Sequence, residues 1–363
     1  MASVSFSKIS LYARHHRYLY RQVRAFLVIW CMPMEFEERI NAELSKLAES
    51  GTKILITGGS GYLGSVLTEM LIERKFDVTV VDNLLYAQNT LFNLFAYKNF
   101  HFIYGDVTNQ KFMEKLIRDG KYDFIFPLAA IVGFPISEQK PEITWLVNYD
   151  AILNILKVRK DDQKIIFPTT NSGYGATDGK TECTEDSPLV PISSYAKSKV
   201  EAEKAIINTK DYVSFRLATL YGFSPRMRTD LLVNNLVHKA VTDKTIVLFE
   251  RKFKRNFLHV RDAARAFLWA VANWDQMKNR IYNVGHPDYN ITKEELCDMI
   301  KESVTDLNIF YSEIGKDPDK RNYIVSNERL LATGFRFKYD LRDGIEELVR
   351  GYVALRDYRF KNY

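Results

Sequence analysis

The chain has 363 residues, of which 46% are hydrophobic, and a formal net charge of +6 at pH 7. Five of its basic residues lie within the first 34 residues, a stretch without any acidic residue, so the rest of the chain carries a net charge of +1 (6 − 5 = 1). A nearly neutral body gives no electrostatic support for nucleic-acid binding. The length suits one domain of roughly 170 to 200 residues and a smaller second unit.

A basic head precedes the body. Residues 1–33 are rich in Arg and Ser and end in the apolar run Ala25 to Met32, which is far too short to span a bilayer. The head is a targeting segment or surface-lying helix, an unstructured extension, or the result of a start assigned upstream of Met32 or Met34. We favour the last two, because no candidate catalytic residue lies there. We predict a non-catalytic extension and linker helix over residues 1–50, without a transmembrane segment.

The first element of the body predicts a dinucleotide site. Lys53 to Thr57 is apolar and β-branched, as a buried parallel strand requires, and three glycines then mark a tight turn that opens a helix through Arg74. Gly58 permits the sharp turn, Gly61 lets the backbone approach a pyrophosphate, and Gly64 lets the helix pack closely on the strand. The predicted site also includes the neighbouring residues Ser60, Tyr62 and Leu63.

The second strand adds a carboxylate to this site. Asp82 ends the segment Val78 to Asp82, where it can accept hydrogen bonds from an adenosine ribose, and Asn83 follows it. Between Asp82 and Lys98 there is no Arg or Lys to offset the charge of a 2′-phosphate. We therefore expect NAD, rather than NADP, as the cofactor.

Strand-like and helix-like segments alternate from Lys53 to about Arg216, which predicts an α/β fold with a Rossmann-type, doubly wound parallel sheet. Beyond Gly222 the pattern becomes irregular. We assign residues 51–222 to an NAD-binding domain and residues 223–363 mainly to a smaller C-terminal substrate lobe. In that lobe the sequence predicts a strand at Ile246 to Phe249 and helices near Leu231 to Ala240, Asp262 to Trp274 and Lys293 to Ser303.

Three residues form the candidate catalytic set. Tyr195 and Lys199 lie one turn apart on a predicted helix from Ser193 to about Asn208. Thr170 lies 25 residues before Tyr195, just beyond the predicted strand Lys164 to Phe167, and the carboxyl ends of parallel strands line the ligand crevice. A free phenol titrates near pH ~10, so a tyrosine that acts as a base needs a neighbouring cation such as Lys199. The alternative is a solvated helix face beside a structural threonine.

These motifs resemble the extended short-chain dehydrogenase/reductase family of NAD-dependent nucleotide-sugar epimerases and dehydratases. The family fingerprint Thr-Gly-x-x-Gly-x-x-Gly is Thr57 to Gly64, and the likeness extends over about residues 52–350, including Asn148. It departs at Pro127, where the family commonly has His. By this resemblance further residues would contact NAD: Asp106 and Val107 at the adenine, and Leu128, Ala129 and Ala130 beside the nicotinamide ribose and the pyrophosphate.

The resemblance also implies the chemistry. Tyr195 would take a proton from a sugar hydroxyl while hydride leaves the same carbon for NAD, Thr170 would bond that oxygen, and Lys199 would hold the nicotinamide ribose. The family further implies that the C-terminal lobe is interleaved with the sheet. A homodimer would form through the helices around residues 142–157 and 193–208, where apolar residues at helical spacing could face a partner helix or the protein's own sheet. These residues include Ile152, Ile155, Leu156 and Ala202.

A nucleotide-diphosphate sugar is the substrate that the resemblance implies. Arg255 matches the family's diphosphate-contacting Arg, whose forked donors suit two phosphates. Thr219 stands where the family usually has an Asn that helps to hold the diphosphate. Arg226, Arg228 and Arg321 are further candidates for this contact.

The residue at position 172 narrows the choice among the reactions that the family catalyses. Family 4,6-dehydratases carry an acid there and the 3,5-epimerases a Cys, so Ser172 disfavours both elimination and 3,5-epimerisation. We favour a 4-epimerase that works through a transient 4-keto sugar, with a nucleotide-sugar 4-dehydrogenase or ketoreductase as the alternative. A non-catalytic dinucleotide-binding sensor on the same fold is an alternative of another class.

The cysteines and histidines suggest neither a metal site nor a disulfide framework. Cys31, Cys183 and Cys297 are far apart, and the six His residues lack the spacing of metal ligands. We therefore expect a reduced, cytoplasmic enzyme without a metal.

Overall fold

The structure is a computed structural model that describes residue 38 and residues 40–312, 321–356, 358 and 360. The predicted role of the basic head, residues 1–33, falls outside the described residues. Contacts divide the chain into two units, residues 1–46 and 47–363, and the sheet and the site belong to the second. Across the described residues, none of the helices is long and apolar enough to cross a membrane.

The described part of the chain forms fourteen strands. They are β1 (Lys53–Thr57), β2 (Asp77–Asp82), β3 (Phe100–Tyr104), β4 (Phe124–Pro127), β5 (Lys164–Thr170), β6 (Glu182–Cys183), β7 (Tyr212–Leu217), β8 (Thr219–Tyr221), β9 (Thr245–Phe249), β10 (Lys254–His259), β11 (Arg280–Val284), β12 (Asn290–Thr292), β13 (Asn308–Ser312) and β14 (Ile324–Val325).

Helices connect these strands. They are α1 (residues 40–49), α2 (Tyr62–Glu73), α3 (Gln110–Gly120), α4 (Phe134–Gln139), α5 (Pro141–Trp145), α6 (Ala151–Val158), α7 (Ser194–Ile207), α8 (Leu232–Thr242), α9 (Val260–Ala272), α10 (Trp274–Met277), α11 (Lys293–Ser303), α12 (Glu328–Leu331) and α13 (Leu341–Ala354). A π-helical turn, Leu146–Asp150, joins α5 to α6, and short 3₁₀ helices occupy Phe92–Ala96 and Asn171–Tyr174.

Seven parallel strands form the central sheet, in the order β11-β7-β5-β4-β1-β2-β3. The prediction of a Rossmann-type, doubly wound sheet is therefore confirmed. The order reverses between β1 and β4, and in open α/β sheets the crevice beyond the strand ends at such a reversal is where ligands bind. The last strand, β11, returns from the C-terminal lobe, so lobe and sheet are interleaved.

Two prolines mark a gap between neighbouring strands at that crevice. β4 and β5 pair only through Phe124 with Lys164 and Ile125 with Ile165, and beyond this point they are no longer paired. Pro127 and Pro168 lie in the unpaired part, where a proline removes no hydrogen bond between these strands. β5 also runs to Thr170, three residues beyond its predicted end, because it stays paired with β7.

Apolar side chains cover both faces of the sheet. On one face, Leu55, Ile125 and Ile165 are fully buried in a cluster with side chains of α3, α6 and α7. Elsewhere in the core, the Phe267 ring of α9 packs edge-on against Phe126 and Phe215, with ring centroids 5.5 and 5.3 Å apart. This core fixes the strand ends that carry the site.

Three small sheets and a group of helices lie outside the central sheet, and two of the strands, β6 and β8, come from before residue 223, where the predicted C-terminal lobe begins. The small sheets are β12-β10-β8, β13-β9 and β14-β6, and α8, α11 and α13 contact one another beside them. The helix expected at 293–303 has those bounds, whereas the one expected from Asp262 begins at Val260 because the His259 ring caps it by accepting a hydrogen bond from the Arg261 amide, at 3.1 Å.

The structure selects between the two predicted orientations of the apolar residues on the helices of the predicted homodimer interface. Ile152, Ile155 and Ala202, which could have faced a partner helix, are at most 3% exposed and pack in the protein's own core. Other apolar residues on the same helices, such as Leu153 and Ile207, are more than a third exposed. The homodimer itself stays a prediction.

Candidate active site

A cavity of about 620 Å³ opens at the carboxyl ends of the central strands. It is lined by all of the predicted site residues except Ser60 and Arg255. These lining residues are Gly58, Gly61, Tyr62, Leu63, Gly64, Asp82, Asn83, Asp106, Val107, Leu128, Ala129, Ala130, Thr170, Tyr195, Lys199, Thr219, Arg226, Arg228 and Arg321. The fold thus brings together residues that lie up to 263 positions apart in the chain.

The glycine turn is built as its spacing predicts. Gly58 has a φ of +72°, and a Cβ there would lie 2.6 Å from the backbone N and Cα of Ala129. A Cβ on Gly64 would lie 2.4 Å from the Gly58 carbonyl oxygen, so both positions require glycine. Gly61 is the N-cap of α2 and has no side chain to bond the first amides. Those amides suit the pyrophosphate of NAD.

Two carboxylates line the part of the cavity where the adenosine half would bind. Asp82 is 8% exposed and accepts hydrogen bonds from the backbone amides of Ser60 (3.0 Å) and Leu84 (2.8 Å). Burial raises the pKa of Asp82, and these bonds oppose the rise. Burial also raises the pKa of Asp106, but hydrogen bonds, including two from Thr108, outweigh that effect and lower it. A charged Asp106 is well suited to accept hydrogen bonds from the adenosine half of NAD.

The candidate catalytic side chains come together at the other end of the cavity. Thr170, at the end of β5, lies close enough to the phenol of Tyr195 on α7 to act on the pKa of that phenol. Thr170 Oγ1 accepts from the Ser172 amide (3.1 Å) and donates to Ser172 Oγ (3.0 Å). The Lys199 ammonium lies 3.9 Å from the centroid of the Phe167 ring. The structure therefore brings Thr170, Tyr195 and Lys199 to the same end of the cavity.

Lys199 is supported by a buried charged cluster behind the cavity. It is 3% exposed, and burial lowers its pKa to about 7, although the charge of Glu203 raises it. Glu203, one turn further along α7, pairs with Arg216 of β7 (Nη2 to Oε1, 2.7 Å) and accepts from Ser214 (2.9 Å). Arg216 does not line the cavity. We infer that it holds the carboxylate that acts on Lys199.

The π-helical turn before α6 positions the catalytic helix. Asn148 accepts a hydrogen bond from the Ile131 amide (2.8 Å) and donates to Ser198 Oγ (3.1 Å). Ser198 in turn donates to the carbonyl of Tyr195 (2.9 Å). These contacts connect the loop after β4 to the first turn of α7. The sequence likeness included Asn148, but nothing in the sequence singled out Ser198, whose role depends on this contact across 50 residues.

Two predicted substrate arginines lie near the catalytic phenol. Arg228 is paired with Asp230 through two contacts, one of them 3.0 Å long. Arg321 donates a hydrogen bond to Ser172 Oγ. Burial raises the pKa of Tyr195, and the charges of Arg228 and Arg321 act to lower it. The sequence predicted Lys199 as the cation beside the phenol and assigned the two arginines to a diphosphate. In the structure, the largest effects of positive charge on the phenol come from the arginines.

Of the remaining predicted residues, Thr219 lines the cavity, whereas Ser60 and Arg255 do not. Ser60 is 1% exposed and contributes its backbone amide to Asp82. Arg255 is 2% exposed, and its guanidinium lies 5.8 Å from the ring of Tyr323, a residue that does line the cavity. In the described part of the chain, the buried hydroxyl of Thr219 has no hydrogen-bond partner. A polar ligand in the cavity would give this hydroxyl a partner.

Sequence reasoning missed several residues that line the cavity. The most polar of them are Tyr86, Gln88 and Ser193, together with Tyr323. The ring of Tyr86 lies 4.8 Å from the Arg226 guanidinium. Both Tyr86 and Gln88 belong to the loop after β2, so the position of Asp82 could have pointed to them.

The fold and the site together define an NAD-dependent enzyme of the Rossmann type. The sequence profile described as the NAD dependent epimerase/dehydratase family matches residues 54–285, which is more than half of the chain. The chain therefore belongs to the NAD-dependent epimerase/dehydratase family. The cofactor prediction is confirmed.

Relatives in this family carry out different reactions. The UDP-glucose 4-epimerase of Corynebacterium glutamicum is 27% identical over 267 residues, which cover 68% of this chain and 79% of the relative. The human dTDP-D-glucose 4,6-dehydratase is 24% identical over 318 residues, with coverage of 83% and 89%. The structure of the Thermus thermophilus UDP-glucose 4-epimerase in complex with NAD has a TM-score of 0.70 at 25% identity, with coverage of 83% and 99%.

Proposed function

We propose that the protein is an NAD-dependent 4-epimerase of a nucleotide-diphosphate sugar. The observation that carries the proposal is the convergence of Thr170, Tyr195 and Lys199 in the same cavity as the glycine turn and Asp82. A dinucleotide and a sugar hydroxyl can therefore meet in one cavity. A dinucleotide sensor would not need the proton-transfer pair, so the arrangement favours an enzyme.

The residues would act on the C4 hydroxyl of the sugar. Tyr195 would accept the hydroxyl proton as the C4 carbonyl forms, and Thr170 would hold the same oxygen. When bound, NAD would accept hydride from C4 and return it to the opposite face, so no net oxidation would occur. Tyr195 would then give the proton back to the new hydroxyl. Lys199, with a pKa of about 7, would supply positive charge beside the nicotinamide ribose at neutral pH and below.

Ser172 supports epimerisation over elimination. It lines the cavity beside Thr170, at the place where the family's dehydratases carry an acid. A serine hydroxyl is a poor acid or base for the loss of water. The alternative of a 4-dehydrogenase or ketoreductase uses the same three catalytic residues and differs in releasing the oxidised or reduced sugar.

The substrate diphosphate would contact Arg226, Arg255 and Thr219. Arg226 lines the 620 Å³ cavity and also a neighbouring cavity of about 730 Å³. Arg255 is buried beside Tyr323, and the Thr219 hydroxyl is ready to donate a hydrogen bond. These contacts stay predictions that binding measurements on variants can test.

The test uses UDP-, GDP-, CDP- and dTDP-sugars that carry deuterium at C4. An epimerase would give inverted products that retain deuterium at C4, with no net NADH absorbance. Stoichiometric formation of NADH together with a keto product would show that the protein is a dehydrogenase and would overturn the epimerase proposal. Failure of every sugar nucleotide to react would contradict the substrate class.

A further inference from the structure

The wall beside Thr170 presents hydrogen-bond donors to the cavity. Ser172 is 3% exposed, and its Oγ accepts hydrogen bonds from both Thr170 Oγ1 (3.0 Å) and Arg321. A hydroxyl has two acceptor lone pairs and one proton, so these bonds use its capacity to accept. Among the described residues no acceptor takes the Ser172 proton. Ser172 can therefore offer a donor, but not an acceptor, to a ligand in the cavity.

Two arginines lie at the same end of the cavity, and one of them, Arg228, is paired with Asp230. Both Arg321 and Arg228 lie close enough for their charges to act on the Tyr195 phenol. Arg228 Nη2 would lie 3.4 Å from a Cβ built on Gly133, which also lines the cavity. The acidic lining residues Asp82 and Asp106 end or follow β2 and β3, on the far side of the glycine turn. The two ends of the cavity thus differ in sign.

The position of Arg321 distinguishes it from a diphosphate ligand. Arg321 is two hydrogen bonds from Thr170, by way of Ser172, and Thr170 lies close enough to Tyr195 to act on the pKa of its phenol. If Thr170 and Tyr195 hold the C4 oxygen of a sugar, the substituent next to Ser172 would be the one on C3 or C5, the two carbons beside C4. The diphosphate is attached at C1, on the opposite side of the ring. The group that meets Ser172 and Arg321 is therefore a substituent of the sugar.

We propose that the sugar carries a carboxylate on C5, as in a hexuronate, and that Ser172 and Arg321 hold it. A hydroxymethyl group donates as well as accepts hydrogen bonds, whereas a carboxylate is an acceptor only and matches a wall made of donors. A guanidinium favours such a planar anion through charge-assisted hydrogen bonds. This inference rests on the proposed function, because it assumes that C4 of a nucleotide sugar reacts.

The carboxylate would take no part in the proton and hydride transfers, but it would change the intermediate. Oxidation at C4 of a hexuronate gives a β-keto acid, which can lose CO₂. Contacts from Arg321 and Ser172 would keep the carboxylate ionised and stabilise its charge, which opposes that loss. Carbon dioxide release is therefore a second readout of the same site.

The experiment compares two substrates that differ in one group. We would measure kcat/KM for UDP-glucose and UDP-glucuronate, and for the corresponding GDP, CDP and dTDP pairs, with sugar products and released CO₂ followed together. We expect the acidic member to be preferred by about 10- to 100-fold within the nucleotide that reacts. Arg321→Gln should reduce kcat/KM for the acidic sugar far more than for the neutral one, so the preference collapses, and Arg321→Lys should restore part of it.

Arg350→Gln is the matched control, because Arg350 is exposed on α13, with its side chain 72% accessible, and should leave the preference unchanged. Equal use of both sugars, or preference for the neutral one, would overturn the inference and leave the epimerase proposal intact. Turnover of neither member of any pair would overturn both. Loss of CO₂ from the acidic sugar would support the carboxylate site while replacing epimerisation with decarboxylation.

Discussion

The two ends of the cavity are built in different ways. The cofactor end depends on backbone geometry within one short segment, since Gly58, Gly61 and Gly64 lie within seven residues of one another. The reaction end depends on side chains from distant parts of the chain, and the contact between Ser172 and Arg321 spans 149 residues. The spacing of residues in the sequence therefore predicts the cofactor end. The contacts of the reaction end become visible only in the folded structure.

This difference predicts how each end responds to substitution. Changes at the cofactor end should weaken NAD binding and folding together, because the glycines approach other backbone atoms. Changes at the reaction end should separate turnover from cofactor binding, because the side chains there meet the sugar. The four predictions below test this separation.

The largest effect should come from the catalytic phenol. Tyr195→Phe removes the group that takes the C4 proton and leaves the ring in place, so turnover should fall by about 10³-fold. Affinity for NAD should change by less than about twofold, since the glycine turn is untouched. Steady-state kinetics and calorimetric titration with NAD would measure the two effects.

Tyr104→Phe provides the control, because Tyr104 is 72% exposed at the edge of the sheet. This variant should behave as the unmodified enzyme. If Tyr195→Phe kept most of its activity, another residue would have to take the proton. A large loss of NAD affinity would contradict the separation of the two ends.

The second prediction concerns the charged cluster behind Lys199. Arg216→Met leaves Glu203 buried without its partner, which should lower the free energy of unfolding by about 3 to 5 kcal/mol. The double variant Arg216→Met with Glu203→Gln should be less damaged, because the unpaired charge is gone. Urea denaturation would measure both.

The comparison pair is Arg350 and Glu346, whose side chains are 72% and 61% exposed. Arg350→Met should lower the free energy of unfolding by less than about 1 kcal/mol. Similar losses for Arg216→Met and Arg350→Met would show that the buried pair adds nothing to folding. The folding of this part of the protein would then not depend on the ion pair between Arg216 and Glu203.

Sequence reasoning was strongest where function follows from local backbone. The glycine turn, Asp82 and the alternation of strands and helices predicted the sheet and the NAD site, because each follows from spacing within one element. Thr170 was predicted at the ligand crevice because the carboxyl ends of parallel strands line it, and Tyr195 and Lys199 were predicted to share a helix face because they lie one turn apart. The structure brings them to the same cavity.

The reaction end was harder to predict for a physical reason. Arg321 reaches Ser172 from a segment that follows the last strand of the central sheet, and no periodicity relates the two. The hydrogen bond from Asn148 to Ser198 likewise depends on how the π-helical turn before α6 packs against α7. The sequence also took Ile152 and Ile155 as possible partner contacts, and only packing shows that they face the protein's own core.

The third prediction compares two glycines with similar backbone angles. Gly58 and Gly51 have φ values of +72° and +81°, and a Cβ on Gly51 would meet nothing within 4 Å, whereas one on Gly58 would lie 2.6 Å from Ala129. Gly51→Ala should therefore cost about 1 kcal/mol of folding free energy from backbone strain alone. Gly58→Ala should cost about 3 kcal/mol, and it should also weaken NAD binding.

Thermal denaturation with and without NAD would measure these effects. The difference between the two variants isolates the close approach of the glycine turn to the loop after β4. Equal costs would show that only backbone strain matters and that the approach to Ala129 is not needed. If Gly58→Ala left the NAD affinity unchanged, the glycine turn would not belong to the cofactor site.

The fourth prediction concerns how the free energy of unfolding depends on pH. Burial lowers the pKa of Lys199 to about 7, whereas an unfolded lysine titrates near pH ~10.4. Between these values the unfolded chain binds more protons than the native one, so this group makes stability rise with pH, by at most about 1.4 kcal/mol per unit. Below pH ~7 the lysine is charged in both states, and its contribution no longer changes.

Lys199→Met should therefore flatten the rise in unfolding free energy between pH 7 and 9.5, measured by urea denaturation at several pH values. The control is Lys204→Met on the same helix, whose side chain is 58% exposed and which should leave the slope unchanged. An unchanged slope in Lys199→Met would mean that Lys199 stays charged in the folded protein throughout this range. The charge of Glu203 would then outweigh burial, and the lysine would remain a cation beside the nicotinamide ribose above neutral pH as well.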